Sequence, residues 1–245
     1  INIDKGAKLV NKDSSKEFNN WGKIVNKGTI YNYSQFMNSV LQDYYAREDS
    51  YNYGEIHNYG TIVQGEGYFG NQGHIYMYDG IIEATGGRFS NSGYITGTGT
   101  IKGQRTSYFY NEPLSTMSPG FSAGGILIEG DIYHSGKKQI EIGGPNDASR
   151  NLLDTEYDFI DVAGDLIIDG GTLEVSLIDG YKLESNKEFI ISKVDGEVTG
   201  TYSGLVEGAL VDKFDSIYGP SIRQNLYITY KAGDGNDIGL YTTKP

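Results

Sequence analysis

Apolar and polar positions alternate along the first half of the chain in a six-residue unit, Asn-x-Gly-x-Ile-x. The unit stands doubled from Asn20-Trp21-Gly22-Lys23-Ile24 through Asn26-Lys27-Gly28-Thr29-Ile30. It is doubled again from Asn52-Tyr53-Gly54-Glu55-Ile56 through Asn58-Tyr59-Gly60-Thr61-Ile62. Looser doublets run from Asn71, Gly73 and Ile75 to Gly80 and Ile82, and from Asn91, Gly93 and Ile95 to Gly99 and Ile101. The last three begin at positions 52, 71 and 91, and a fixed period of about 20 residues marks a solenoid. In an extended chain residues two apart face the same way, so Asn, Gly and Ile of one unit share a side. The pattern predicts an all-β fold, a parallel β-helix (β-solenoid) with coils of about 20 residues. Ile24, Ile56, Ile75 and Ile95 fall in one buried column, and Ile30, Ile62, Ile82 and Ile101 in a second, joined by Phe36, Phe69 and Phe89. A glycine in every six residues is incompatible with helix; here it allows close backbone approach. Asparagine tolerates the left-handed conformation at a bend, and stacked amides can bond along the axis. Trp21, Lys23, Lys27, Tyr53, Glu55, Tyr59, His74 and Tyr94 fall on the outward side.

The pattern is interrupted twice within residues 1–117. Residues 1–19 read as an incomplete first coil. An insertion near 39–50 lacks glycine and reads as a short helix or a projecting loop, and it explains the wider gap between the first two doublets. A loop near 103–117 closes this part. From 118 to 245 strand patterning returns with different spacing, in Gly125–Asp131 and Gln139–Gly144, each closed by a turn, then Ile160–Val162, Leu166–Ile168, Leu173–Leu177, Phe189–Ile191 and Leu226–Tyr230, with turns at Gly164, Gly170-Gly171 and Asp179-Gly180. This β-rich part either continues the solenoid or caps it.

Charge separates the two parts further. Residues 1–117 carry 10 basic and 11 acidic side chains and residues 118–245 carry 10 and 21, which together give the net −12. Without a basic stripe, nucleic acid is excluded as a partner. No run of 18 apolar residues exists to span a membrane as a helix. With no cysteine among 245 residues, disulfide scaffolds and thiolate metal sites are excluded, while secretion is not. The chain opens on Ile1 with no apolar signal core and reads as a processed or excised fragment.

An ordered series in the second half carries a resemblance. Ser118-Pro119-Gly120-Phe121-Ser122-Ala123-Gly124 leads into Leu127-Ile128-Glu129-Gly130-Asp131 and Ile140-Glu141-Ile142-Gly143-Gly144. Tyr157-Asp158-Phe159-Ile160-Asp161-Val162-Ala163-Gly164, Gly170-Gly171-Thr172-Leu173-Glu174-Val175, Gly200-Thr201-Tyr202-Ser203-Gly204-Leu205, Ile228-Thr229-Tyr230 and Gly233-Asp234-Gly235-Asn236-Asp237 follow. Together they resemble the C-terminal part of β-helical passenger domains of bacterial autotransporter-type surface proteins. The hexads before them resemble coils of such passengers and of filamentous-haemagglutinin-like two-partner-secretion exoproteins. The resemblance covers about residues 20–240. It implies a right-handed parallel β-helix, secretion to the bacterial surface, and no catalytic residues. The insertion near Tyr44 and the tyrosine content depart from the usual pattern.

Candidate chemistry is sparse. Gly120-Phe121-Ser122-Ala123-Gly124 matches the Gly-x-Ser-x-Gly nucleophile elbow, but Pro119 precedes it, a strand follows it, and His134 is the only later histidine. A structural turn is the expectation. Gly233-Asp234-Gly235-Asn236-Asp237 resembles a single calcium-binding nonapeptide turn, and such sites need tandem copies. Asp234, Asn236 and Asp237 are therefore weak metal candidates, against a solvated turn. Glu129, Asp131, Glu141, Asp158, Asp161, Asp165 and Asp169 would serve a glycosidase only as a pair at a set separation; as strand-edge charges they discourage edge pairing. His57, His74 and His134 lack metal-ligand spacing. Thirteen of 21 tyrosines precede residue 118, and Trp21, Tyr53, Tyr59 and Tyr94 are candidates to stack on sugars or meet another protein. The opposed reading is that they pack on strand neighbours.

The expectation is a secreted, non-enzymatic β-helical protein that acts in adhesion or as extracellular structure. Its partners would be host or cell-surface glycans and proteins, or itself in an end-to-end homopolymer, the lysines at 5, 8, 12 and 16 meeting the acidic second half. The alternatives are a polysaccharide-binding or polysaccharide-degrading β-helix and a phage fibre or tailspike.

Overall fold

The computed structural model describes residues 1–12, 17–42, 51–103 and 109–243. Strands follow one another in threes, and each pairs in parallel with the strand one coil earlier and one coil later, so the chain winds a parallel β-helix with three faces. On the first face Lys23–Asn26 pairs with Glu55–Asn58, which pairs with the start of His74–Ala84. That strand pairs with Tyr94–Lys102, followed by Thr116–Pro119, Lys137–Ile142 and Thr172–Leu177. The second face runs from Lys8–Asn11 through Thr29–Asn32 and Thr61–Gln64 to Gly125–Glu129, Phe159–Val162 and Glu188–Val194. His74–Ala84 and Tyr94–Lys102 serve both faces, turning the corner at a register shift between Tyr78 and Gly80. Asp79 takes a φ of 57° there.

The interior follows from register. Ile24, Ile56, Ile75 and Ile95 are directly opposed on the first face, and Ile30, Ile62, Ile82 and Ile101 on the second. All eight are at most 1% exposed, so both predicted columns exist. The phenylalanines do not join them; they form a column on a third face of their own. Phe18, Phe36, Phe69, Phe89 and Phe109 stack there with ring centroids 4.5 to 4.9 Å apart. That face consists of Phe18–Asn20, Phe36–Asn38, Tyr68–Asn71, Arg88–Asn91, Phe109–Asn111, Ile132–His134, Leu166–Asp169 and Val198–Thr201.

Three other expectations change. Asn2–Ile3, Lys8–Asn11 and Phe18–Asn20 give the first coil a strand on every face, so it is not incomplete. The insertion stands on an antiparallel pair, Val40–Gln42 with Tyr51–Tyr53, and residues 43–50, with Tyr44, lie outside the described residues. In the stretch read as a loop near 103–117, Phe109–Asn111 is a third-face strand and Thr116 begins a first-face one; residues 104–108 lie outside the described residues. Past residue 118 parallel winding continues to Val198–Thr201. Leu210–Ser216, Gly219–Ala232 and Asp237–Tyr241 then fold as an antiparallel cap whose last strand pairs with Glu188–Val194. Among the described residues no helix is long and apolar enough to cross a membrane.

Candidate functional site

Apart from Asn52, whose side chain lies outside the described residues, the asparagines of the hexad point inward. Asn20, Asn38, Asn71, Asn91 and Asn111 form a ladder on the third face, each Nδ2 donating to the next Oδ1 over 2.7 to 2.8 Å. Nδ2 also reaches a carbonyl one coil on, as Asn71 does to Tyr94 O at 3.1 Å. Oδ1 accepts from the glycine two residues later, Asn20 from Gly22 and Asn91 from Gly93, both at 3.3 Å. Asn26 and Asn58 form a second ladder, and Asn11, Asn32 and Gln64 a third. None of these residues is in the left-handed conformation expected of a bend asparagine. Buried amides must be paired, and stacking pairs them. The hexad glycine is required by close approach: a Cβ on Gly60 would lie 2.1 Å from Gly28 O.

The outward side of the first face is aromatic from the third coil to the sixth. Tyr59 stacks on Tyr78 at 4.1 Å and Tyr78 on Phe121 at 4.7 Å. Beside this row His57 stacks on Tyr76 at 4.6 Å and His74 on Tyr94 at 5.6 Å. His57 Nε2 lies 3.2 Å from Glu55, and this hydrogen bond, with Lys23 at 3.6 Å, holds the Glu55 carboxyl below its ordinary value. Burial raises the Tyr76 and Tyr78 phenols. A ring stacked on a neighbour has that face covered, so the middle of each row offers edges and hydroxyls. Open ring surface is found at the row's ends, on Tyr59 (44% exposed) and Phe121 (53%). The Lys27 ammonium sits 5.9 Å from the Tyr59 ring.

The sequence candidates are thus only partly brought together. Tyr59 stands at the corner of the first and second faces. Tyr94 is half-buried within the first face, with its hydroxyl donating to Gln139 Oε1 at 3.1 Å. Trp21, exposed, occupies the opposite corner, and the Tyr53 side chain lies outside the described residues. Tyr78 and Phe121 were missed. Phe121 lay inside the serine motif, and its signal was one large aromatic ring in a turn of small residues.

That motif is a turn between Thr116–Pro119 and Gly125–Glu129. Gly120 has φ 79°, Gly124 N donates to Asp158, and Ser122 is exposed. His134 is 1% exposed within the third face. Six of the seven carboxylates are committed to separate tasks, and Glu141 meets Asp158 through its backbone N–H. Glu129 pairs with Lys102 at 3.0 Å, and Asp161 accepts from Arg150 Nε at 2.7 Å. Asp131 accepts from Asp165 N and Asp165 from Glu197 N, both at 2.9 Å. Tyr133 donates to Asp169. Asp158 accepts from Gly124 N and Glu141 N at 2.9 Å, and burial pushes its carboxyl up to about 8 against the pull of those donors. In the cap turn Asp237 accepts from Val194 N at 2.8 Å, and Asn236 Nδ2 donates to Val194 O and Gly196 O; Asp234 is exposed. Among the described residues no three His, Cys, Asp or Glu side chains are grouped to hold a metal ion.

Sequence reasoning also missed Lys138. It stands directly after Met117 in the first apolar column, 1% exposed, donating to Ile191 O at 2.7 Å and Ser192 Oγ at 2.6 Å. Burial pushes its ammonium down to about 7. The signal was there: 138 is in phase with Ile140 and Ile142. No protein-family model, curated protein or solved structure matches the chain.

Proposed function

We propose that this chain is a secreted, non-enzymatic β-solenoid of a bacterial surface, acting by adhesion or as extracellular structure. One observation carries the reading. A core of stacked columns and ladders holds an aromatic outer face in fixed register, with Tyr59, Tyr78 and Phe121 in one row ending in exposed rings. Rigid amphipathic rings lose little entropy on contact, which suits them to neutral glycans or protein surfaces. The bacterial-surface setting rests on the resemblance of the second half to autotransporter-type passengers. The test is binding to a panel of polysaccharides and to cell-surface preparations. Retention is expected, weakened at least tenfold by the double change Tyr59→Ala and Phe121→Ala. New reducing or unsaturated sugar ends with continued turnover would replace the reading with an enzymatic one.

End-to-end assembly belongs to the structural branch of this proposal. In the last coil the cap pairs with Glu188–Val194. Among the described residues, Thr172–Leu177 and Val198–Thr201 each have a parallel partner only on the preceding coil. Two open edges are what a stacking copy needs. Sedimentation and electron microscopy of the intact chain and of one lacking residues 1–16 test it; an intact chain that stays monomeric at high concentration ends the idea.

A further inference from the structure

We infer that an extended peptide segment of alternating apolar and basic residues docks on the open edge of Thr172–Leu177, in the groove between that strand and the cap. This contact is separate from the aromatic row and does not rest on the role proposed for it. Among the described residues the last first-face strand is paired on one side only, with Lys137–Ile142. Along such a ladder successive residues turn their backbone groups to opposite sides. Thr172 N donates back to Gly136 O and Ile178 N to Ile142 O, so the even-numbered residues face the preceding coil. Leu173, Val175 and Leu177 therefore turn their N–H and C=O groups to the open side. Each offers one donor and one acceptor, and a row of such pairs is what an added strand bonds to.

A groove of about 400 Å³ lies along this edge, its wall as polar as it is apolar. Val175 and Leu177 line it from the strand, Tyr181 from the turn that follows, and Phe214, Asp215 and Arg223 from the cap. Ile140 and Ile142, one coil earlier in the same columns, are fully buried, whereas Val175 and Leu177 are only half-buried. Apolar side chains of an added strand would cover them. The charge around the groove selects the other side chains. Lys137 pairs with Glu174 at 2.8 Å, Arg223 with Asp215 at 2.7 Å and Lys187 with Glu184 at 3.2 Å. Glu141, opposite Ser176 on the outer side, and Glu156 have no cationic partner among the described residues. The negative field is felt at Tyr181, whose phenol burial, Glu184 and Glu156 together push up to about 12, and whose hydroxyl has no hydrogen-bond partner. A strand has a period of two, so residues covering Val175, Leu177 and Phe214 alternate with residues facing Glu141, and the second set complements its charge when basic.

The probe is a labelled, end-capped hexapeptide, Lys-Val-Lys-Ile-Lys-Val, titrated into the whole chain and followed by fluorescence anisotropy. Its controls are the acidic counterpart Glu-Val-Glu-Ile-Glu-Val and the rearranged Lys-Lys-Lys-Val-Ile-Val. The alternating basic peptide should bind at least tenfold more tightly than either. On saturation, amide exchange should slow at Leu173, Val175 and Leu177. Val175→Pro removes one edge N–H, a change that edge strands tolerate, and should weaken binding at least tenfold. Glu141→Lys leaves the edge intact and should weaken it severalfold, which keeps the test open if the proline variant does not fold. Equal binding of the controls, or exchange unchanged at the three amides, would overturn the inference. So would slow exchange there in the free chain together with a sedimenting dimer or polymer, which would assign the edge to a second copy. Retention through Tyr59 and Phe121 is measured separately on the polysaccharide panel, so either result can fail while the other stands.

Discussion

Coils before and after residue 111 hold their register by different means. In the earlier coils nearly every inward position repeats, with Ile over Ile, Phe over Phe and Asn over Asn. A one-coil slip there would still set like on like, and the paired amides would re-form. In the later coils the inward residues stop repeating. Met117 is followed by Lys138 and then Leu173, and His134 by Ile168. Arg150, with φ 61°, stacks over Phe159 at 4.2 Å, pairs with Asp161 and donates to Ile190 O. Each of these contacts occurs once and fits one alignment. Repetition gives the first region stability without a unique register. The second region supplies the uniqueness, at the cost of burying charge.

The largest expected effect tests the repeating region. Ile75 is fully buried between Ile56 and Ile95, so Ile75→Asp buries an unpaired carboxylate and should cost roughly 4 kcal/mol or more. Thermal unfolding followed by circular dichroism measures it, and an unchanged midpoint would refute the column. Asn71→Leu comes next. It removes one of the two partners of Asn38 Nδ2, which keeps His74 O, and of Asn91 Oδ1, which keeps Gly93 N. Each lost hydrogen bond is worth about 0.5 to 1.5 kcal/mol net, so a loss of about 1 to 3 kcal/mol is expected in denaturant unfolding. At Ile168, the same rung past the end of the ladder, Ile168→Leu should cost less than about 1.5 kcal/mol. Equal losses at the two sites would mean that the ladder contributes only volume.

How far the sequence disclosed this depends on repetition too. The two isoleucine columns were legible because alternation and the 20-residue spacing agree at each position. The third face was not, although Phe-x-Asn recurs at Phe18, Phe36, Phe69, Phe89 and Phe109. At Asn20, Asn71 and Asn91 the asparagine also begins a hexad doublet, so Phe36, Phe69 and Phe89 read as joining the isoleucine columns and not as a face of their own. Lys138 escaped because lysine beside Lys137 and Gln139 looks solvated, and only the phase set by Ile140 and Ile142 says otherwise. On the outer face the tyrosine positions were legible as outward, but stacking depends on the register of neighbouring coils, which one strand cannot show.

Lys138→Met sharpens the comparison through pH. The ammonium titrates near 7 in the folded chain against 10.5 for the ordinary side chain, mainly through burial and with Arg150 adding to the shift. Asp158, Asp161 and His134 also face it. Between these values the unfolded chain binds one proton more, so the wild type gains stability as pH rises from about 7 towards 10. The slope approaches roughly 1.4 kcal/mol per pH unit. Methionine cannot titrate and continues the Met117 column. The difference in stability between wild type and variant should therefore grow in favour of the wild type over that window and stay flat from pH 5 to 6. Asp158 works in the opposite sense. Its carboxyl is raised from 3.8 to about 8, so Asp158→Asn should remove a fall in stability between about pH 4 and 8.

The smallest effect concerns the outer face and separates its two readings. Tyr59 is 44% exposed and stacks on Tyr78 with the rings 4° from parallel. Such a pair is worth about 0.5 to 1.5 kcal/mol beyond area, and partial exposure holds Tyr59 to the low end. Tyr59→Ala should cost about 1 kcal/mol in chemical denaturation, and Trp21→Ala, at a corner with no ring partner among the described residues, close to nothing. If the row exists for contact with a partner, Tyr59→Ala and Phe121→Ala should weaken retention on the bound surface far more than they weaken the fold, because each removes an open ring face. If the row only braces the coils, retention will fall no further than the unfolded fraction requires. Measuring both quantities on the same preparations decides between contact and bracing, since a stability loss near 1 kcal/mol leaves an otherwise stable chain almost entirely folded.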